Sequence, residues 1–342
     1  MPFADGVAHL LEQRGRRVVM LASGDPFWFG AGAVVTRTLP AAEWTAYPVV
    51  SSFALAASHL GWALQDVTCL GLHAAPLTRL RPHLAPGQRI IALVRDGEAV
   101  ALLAQYLAGR GFGASLLSVM EALGGRRERI RQVTAGTLDF TDIVHPVAVA
   151  IACAGAPALP CTAGLPDSWF DHDGQISKRP IRALTLSALA PTPGELLWDI
   201  GAGSGSIGIE WLLAHPTNRA LAFEADPVRA ARATANAIAL GIDRLEVRTG
   251  RVLEVLKGPP PDAVFIGGGL SSLLLTALWD RLPVGTRLVA NSVTLESEAL
   301  LTAWHAEKGG DLLRIELSQA TPIGTRRGWR ASYPVVQWSV VL

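Results

Sequence analysis

Short apolar runs separated by glycine-, proline- and aspartate-rich turns recur along this chain. Residues 18–22 (VVMLA) form one such run, closed by Gly24-Asp25-Pro26, and the pattern predicts a buried parallel strand. Residues 89–94 (RIIALV) repeat it and end at Arg95-Asp96-Gly97. A helix is predicted over 98–109, closed by Gly109 and Gly111. Residues 114–119 and 144–152 predict further strands, so the first half reads as α/β.

From 156 to 176 the periodicity disappears and Gly, Pro, Ala and Asp accumulate, which predicts a linker between a domain over 1–155 and one over 177–342. Beyond it, strand and helix alternate. Strands are predicted at 196–200, 220–224, 245–249, 263–266 and 287–291, and a helix at 206–214. A further helix carries its own end signals: Asp226 as N-cap, Pro227 in the first turn and Gly241 just past the end. Two last strands, 312–317 and 335–341, flank a long connection holding Gly324, Arg326, Arg327, Gly328 and Arg330. Such alternation predicts a doubly wound sheet.

Composition narrows the function classes. The chain has 342 residues, half of them hydrophobic, and a net charge of +1, so no basic excess points to nucleic acid and none to a membrane surface. No uncharged apolar run reaches the roughly 18–20 residues a spanning helix needs, and no secretory leader is read at the N-terminus. Cys69, Cys153 and Cys161 form no framework, which suits a reducing cytoplasm. The eight histidines are scattered, none at ligand spacing, so no metal is expected.

The segment with the most chemistry is Asp199-Ile-Gly201-Ala202-Gly203-Ser204-Gly205, placed between a predicted strand and a predicted helix. Glycines there let the backbone turn tightly against a ligand, and the helix start offers free N–H groups. Glu224 ends the next strand, where a carboxylate can accept hydrogen bonds from both hydroxyls of a ribose. An adenosine-bearing cofactor is implied. Gly203-x-Gly205-x-x-Gly208 also satisfies the dinucleotide fingerprint, which keeps NAD open. Asp199, two residues before the first glycine, makes the loop similar to the D-x-G-x-G-x-G loop of class I methyltransferases, which use S-adenosylmethionine (SAM). The two last strands also look like the antiparallel hairpin that ends that fold.

Longer stretches carry a more specific likeness. GLPDSWFDHDGQISKRPIRALTLSAL (164–189), LLWDIGAGSGSIGIEW (196–211), DAVFIGGG (262–269), NSVTLESEAL (291–300) and PVVQW (334–338) resemble the precorrin methyltransferase domain. VVMLASGDPFWFG (18–30), YPVVSSFALAASHLG (47–61) and LLSVMEALGGRRERI (116–130) resemble the tetrapyrrole methylase family. The two in this order resemble the decarboxylating C5,15-methyltransferases of precorrin-6B (6Y). That resemblance implies SAM-dependent methylation at C5 by the first domain, and at C15 with loss of the C12 acetate carboxyl by the second, giving precorrin-8 on the route to cobalamin. It implies a homo-oligomer as well. In tetrapyrrole methylases a first strand and a glycine-rich loop stand some 60 or more residues before the Gly-Asp-Pro motif, here Gly24-Asp25-Pro26, so the first domain is expected to be incomplete, lacking its first strand. C15 methylation with decarboxylation alone is the corresponding alternative.

By the same resemblance Ser177, Gly201, Ala202, Gly203, Ser204, Gly205, Glu224, Arg251 and Val252 surround SAM in the second domain. Gly24, Asp25 and Pro26, with the paired Ser51 and Ser52, do so in the first. A substrate rich in acetate and propionate groups calls for arginine, which holds carboxylates in two-point hydrogen bonds. Lys178, Arg179, Arg182, Arg326, Arg327 and Arg330 are the candidates, with Lys178, Arg182, Arg326 and Arg330 foremost. Trp169, Trp198, Trp211, Trp329 and Trp338 are large enough to stack on a macrocycle; Trp198 and Trp211 lie inside predicted core elements, where packing is the better reading, and Trp329, in a loop between arginines, is the best placed. Glu210 and Glu296 are possible proton carriers, but no catalytic acid or base is assigned. An NAD-dependent oxidoreductase, a methyltransferase of RNA or protein, and an assembly subunit with a vestigial loop are the competing functions.

Overall fold

The computed structural model describes residues 3–22 and 24–342. Two compact units emerge: one holds the chain up to Leu77 together with His83–Pro157, the other Thr78–Pro82 together with Ala158–Leu342. No helix among the described residues is long and apolar enough to cross a membrane.

The first unit contains α1 (Phe3–Glu12), α2 (Gly32–Val35), α3 (Ser52–Leu60), β1 (Val67–Gly71), β2 (Arg89–Val94), α4 (Gly97–Gly109), β3 (Leu116–Glu121), β4 (Arg129–Thr134) and β5 (Val147–Ala152). Its sheet runs β1-β2-β5-β3-β4, and only the β1–β2 pair is parallel. Ser51 caps α3 by accepting the Ala54 N–H at 3.1 Å, and Phe53, Ala56 and Ala57 then face Ile91, Met120 and Ala150 across the core.

The strand expected at 18–22 is absent. Those residues are irregular, with Val19 79% and Leu21 93% exposed. An apolar run becomes a strand only where a neighbour pairs with its backbone. Residues 89–94, equally apolar, have β1 on one side and β5 on the other.

The second unit contains α5 (Arg179–Leu189), β6 (Leu196–Ile200), α6 (Ser206–Ala214), β7 (Arg219–Glu224), α7 (Pro227–Ala239), β8 (Leu245–Thr249), α8 (Val252–Val255), β9 (Ala263–Ile266), α9 (Ser272–Trp279), β10 (Arg287–Ser292), α10 (Leu295–Lys308), β11 (Asp311–Ile315), β12 (Ser318–Ile323), β13 (Arg326–Ala331) and β14 (Val335–Val341). Seven strands run β11-β14-β10-β9-β6-β7-β8, and β14 lies antiparallel to both β10 and β11. Alternation along the strands supplies two cores. Leu197, Phe265 and Val289 pack under α5, α6 and α7, while Trp198, Ile200, Val264 and Ile266 pack under α9 and α10. Asp226 starts α7 by accepting the N–H groups of Val228 and Arg229. The long late connection is itself a hairpin, β12–β13.

The expected linker over 156–176 is instead largely structural. Leu159, Leu165 and Phe170 are buried in the core beneath α5 and α6. Glu210, Arg182, Asn236, Arg229 and Arg232 hold the segment by hydrogen bonds and ion pairs. Its partners lie up to 65 residues away in sequence, beyond the reach of local periodicity.

Candidate active site

The glycine loop leaves β6 at its carboxyl end and enters α6. Gly201, Gly203 and Gly205 all have positive φ, at 72°, 57° and 75°. Gly201 is the tightest: a Cβ there would lie 2.5 Å from the Gly268 nitrogen, in the loop after β9. The Gly201 and Ala202 N–H groups both donate to the Phe223 carbonyl, at 2.9 and 3.2 Å. No side chain caps α6, whose N-cap is Gly205 itself.

Glu224 closes β7 beside this loop, 7% exposed. One carboxylate oxygen accepts the Gly203 N–H at 2.8 Å and the other the Asp226 N–H at 3.0 Å. Each oxygen keeps a second lone pair for a ligand hydroxyl. Asp199, one residue before the end of β6, is buried on the α6 side. Its Oδ2 accepts the Gly208 N–H at 3.0 Å, while Oδ1 has no partner. Burial pushes its carboxyl up to about 7, against the lowering effect of the Gly208 N–H and with a smaller push from the Glu224 charge.

The segment 171–178 lies against the loop. The Gln175 carbonyl is 3.8 Å from where a Gly203 Cβ would stand. Asn236 of α7 donates both to the Ser204 carbonyl and to the Asp171 carbonyl, each at 2.9 Å. Ser177 and Lys178 then lead into α5, with Lys178 exposed at its N-cap position. Val252 opens α8 and the exposed Arg251 occupies its N-cap position, after Gly250, whose N–H donates to the Glu224 carbonyl at 2.9 Å. The structure therefore gathers Gly201–Gly205 and Glu224, with the Arg251–Val252 turn adjoining the last and Ser177 two residues beyond the Gln175 carbonyl that lies against Gly203. An adenosine-bearing group fits: close backbone approach, an open helix start and a strand-end carboxylate all converge.

Three expectations change. Arg182 is fully buried, with its guanidinium committed to Glu210, Asp167 and the carbonyls of Ser177 and Leu165, so it is not offered to a substrate. Glu210 is its buried counter-ion and accepts the N–H groups of Gly164 and Leu165, which leaves it no role as a proton carrier. Trp338 is the third: at most 1% exposed, it joins Trp198 and Trp211, which pack in the core as expected of core elements, whereas Trp329 is 79% exposed on β13. Arg326 and Arg330 are exposed on one face of that same strand, and Arg327 on the other. Glu296 lies exposed in the first turn of α10.

In the first unit Gly24 (φ 64°) faces Ser51 and Ser52, whose backbone atoms lie 3.9–4.0 Å from its Cβ position. Asp25 closes a turn by accepting the Phe27 N–H at 2.8 Å, and Pro26 presses its carbonyl against Gly30 and Gly32. The structure brings together the two segments singled out there. Sequence reasoning missed Asn236, whose only signal is an amide on the inward face of an otherwise Ala-rich helix.

Comparison with known proteins adds a second line of evidence. Residues 168–342 match the family model of the precorrin methyltransferase domain, and residues 6–139 that of the tetrapyrrole (corrin/porphyrin) methylases. A precorrin-6Y C(5,15)-methyltransferase [decarboxylating] from a Sinorhizobium species is 50% identical over 344 residues, 99% of this chain and 83% of that one. The cobalt-precorrin-6B C(15)-methyltransferase (decarboxylating) of Salmonella typhimurium is 32% identical over 167 residues, 47% of this chain and 85% of its own. Among solved structures, the C-terminal domain of precorrin-6Y C5,15-methyltransferase from Rhodobacter capsulatus superposes with a TM-score of 0.52 at 50% identity, covering 54% of this chain and all of that one.

Proposed function

The chain belongs to the decarboxylating precorrin-6Y C5,15-methyltransferases, and from that premise we propose that its second unit binds SAM on the Gly201–Gly205 loop and carries C15 methylation and the loss of CO2. The chain as a whole is a SAM-dependent methyltransferase of a tetrapyrrole, acting on precorrin-6Y at C5 and C15 with decarboxylation. The division of labour is supported by the relative that couples C15 methylation to decarboxylation while aligning with 47% of this chain.

The observation that carries the reading is the Glu224 carboxylate, pinned to Gly203 and Asp226 at the mouth of the glycine loop. Bound there, SAM supplies a methyl group on a sulfonium. The protein's own work is to align that methyl with a nucleophilic ring carbon and to keep water out. Ser177, Glu224 and the Arg251–Val252 turn hold the adenosine end, and the loop backbone the rest. Decarboxylation breaks the bond between the acetate methylene and its carboxyl, CO2 leaves, the electron pair passes into the ring system, and a proton from solvent taken up at the methylene completes the methyl group. In the first unit, Gly24, Asp25 and Pro26 beside Ser51 and Ser52 are the proposed counterpart for C5. The exposed Lys178, Arg326 and Arg330 are proposed to meet substrate carboxylates.

We further propose a homo-oligomer, supported by the uncovered β12–β13 hairpin, where Ile323 is 64% and Trp329 79% exposed. Light scattering on the protein and on Ile323→Asp tests this, and a monomeric wild type rejects it.

The cofactor reading is tested by calorimetric titration with SAM, NAD serving as control. Two SAM per chain, one of them lost in Gly203→Val and in Glu224→Ala, is the expected result. A single site lost in those variants confines cofactor use to the second unit. SAM binding untouched by either variant, or NAD binding in its place, rejects the assignment.

A further inference from the structure

We propose that Arg182 is a positioning residue for SAM: from inside the second unit it fixes the segment 164–178 in the shape that lies along the glycine loop. This rests on the reading of Gly201–Gly205 as the cofactor loop.

Arg182 is on the first turn and a half of α5, and its side chain is wholly buried. A guanidinium is planar and carries five N–H donors in a fixed fork. Here the fork reaches four acceptors. Nε donates to Glu210 Oε1 at 2.8 Å, and Nη1 to Asp167 Oδ1 at 2.8 Å. Nη1 also donates to the Ser177 carbonyl, and Nη2 to the Leu165 carbonyl. The plane lies over the Phe170 ring, 5.0 Å from its centroid. One side chain thus ties α6, through Glu210, to three points of the segment, two at its beginning and one at Ser177.

Its acceptors are themselves committed. Glu210 takes the Gly164 N–H at 2.6 Å and the Leu165 N–H at 3.0 Å, so the pair fixes the backbone at 164–165. Asp167 Oδ1 also accepts the Arg179 N–H at 3.0 Å, which supplies the N-terminal capping that Lys178 does not give α5. The consequence is directional. Ser177 is held by its carbonyl, leaving its hydroxyl for other work, and Gln175, two residues before it, lies against Gly203.

Burying an ion pair is weak support for stability, because desolvation offsets the attraction, and apolar packing of equal volume can serve as well. What apolar packing cannot do is orient four separate acceptors. Lysine cannot either: a point charge with three rotatable donors does not reproduce the fork. Other contacts hold the middle of the segment: Arg232 meets Asp171 and Asp173, Arg229 meets Asp173 and donates to the Gln175 side chain at 2.8 Å, and Asn236 bonds Asp171, whereas Arg182 is the side chain that joins Leu165 and Asp167 to Ser177.

The test uses the full chain with Arg182→Lys, Glu224→Ala as reference, and three readouts: SAM affinity by calorimetry at the Glu224-dependent site, steady-state kinetics on precorrin-6Y, and amide hydrogen exchange. Arg182→Lys is expected to weaken SAM about tenfold or more and raise KM for SAM in proportion. The expected kcat at saturating SAM and KM for the tetrapyrrole stay within about twofold. Exchange is expected to accelerate at 164–178 and not in β6, β9 or β10. A folded Arg182→Lys with unchanged SAM affinity overturns the proposal, and so does a loss of kcat with KM for SAM unmoved. Should Arg182→Lys not fold, Asp167→Ala, at the half-buried rim of the same cluster, is expected to weaken SAM about threefold, and unchanged affinity there overturns the proposal equally. If Glu224→Ala leaves SAM binding intact, the cofactor assignment itself has failed rather than the role of Arg182.

Discussion

Glu224 accepts the Gly203 N–H at 2.8 Å, so the carboxylate that ends β7 is joined to the middle of the glycine loop rather than merely facing it. The bond sets the height of the loop and the aim of the carboxylate together. Glu224→Gln keeps the shape and an acceptor but removes the charge. A hydrogen bond to a charged group contributes about 1.5–3 kcal/mol, and about 1.4 kcal/mol is tenfold in affinity. Glu224→Gln is therefore expected to weaken SAM roughly tenfold and Glu224→Ala roughly a hundredfold, read by calorimetry. Equal losses in the two would mean that charge, not shape, governs the contact.

Gly201 and Gly269 provide a matched pair. Both have φ near 70°, at 72° and 71°. A Cβ at Gly201 meets the Gly268 nitrogen at 2.5 Å and its Cα at 2.6 Å, whereas one at Gly269 meets nothing within 4 Å. Gly269→Ala is expected to cost only the backbone strain, about 1 kcal/mol. Gly201→Ala must also part the loops after β6 and β9, and is expected to cost about 3 kcal/mol or more. Thermal unfolding of the two variants checks the difference, and similar midpoints would show that these loops yield easily.

The second unit was largely legible because its signals are local. Residues 196–200, 206–214, 245–249 and 263–266 match their elements to the residue, and Asp226 and Pro227 start α7 as their chemistry dictates. Other features depend on distant partners. The run at 18–22 looks like 89–94 in sequence, and only the presence or absence of neighbouring strands separates them. Arg182 reads in sequence as a ligand for substrate carboxylates because its own counter-charges, Asp167 and Glu210, lie 15 and 28 residues away. The hairpin β12–β13 stayed hidden because it has no core to impose alternation, so its residues are polar and apolar without period. At the site, residue types announced the glycine loop and Glu224, while Asn236 acts through two backbone carbonyls that leave no sequence trace.

Lys178 and Arg330 differ from Arg182 in being exposed, Lys178 at the start of α5 and Arg330 on β13. Exposed cations facing a polycarboxylate act through charge, so Lys178→Ala and Arg330→Ala are each expected to raise KM for precorrin-6Y about three- to tenfold. KM for SAM is expected to stay unchanged, and the effect to shrink as salt rises from 50 to 500 mM. Steady-state kinetics at two ionic strengths decide the matter. A residue whose removal leaves the tetrapyrrole KM unmoved at low salt is a solvated cation and not part of the substrate surface.

Asp199 gives the second unit a predictable pH response. Its carboxyl ordinarily titrates near 3.8, and burial pushes it up to about 7 in the folded chain, with the Gly208 N–H opposing and Glu224 assisting. Well below pH 3.8 the carboxyl is protonated in both the folded and unfolded chains, and it contributes no pH dependence. Between about pH 4 and 7 the folded chain retains a proton that the unfolded chain has lost, so stability falls as pH rises through this window. Above about 7 the full cost of an ionised, buried carboxylate is present. At about 1.4 kcal/mol per unit the loss is on the order of 4 kcal/mol. Asp199→Asn cannot ionise and keeps an acceptor for the Gly208 N–H. Its stability relative to wild type is therefore expected to climb between pH 4.5 and 7.5. Denaturant unfolding followed by tryptophan fluorescence reports on this unit, since the buried Trp198, Trp211 and Trp338 all belong to it. Parallel pH curves for the two proteins would show that Asp199 titrates at its ordinary value in the folded chain and that its unpartnered Oδ1 reaches water.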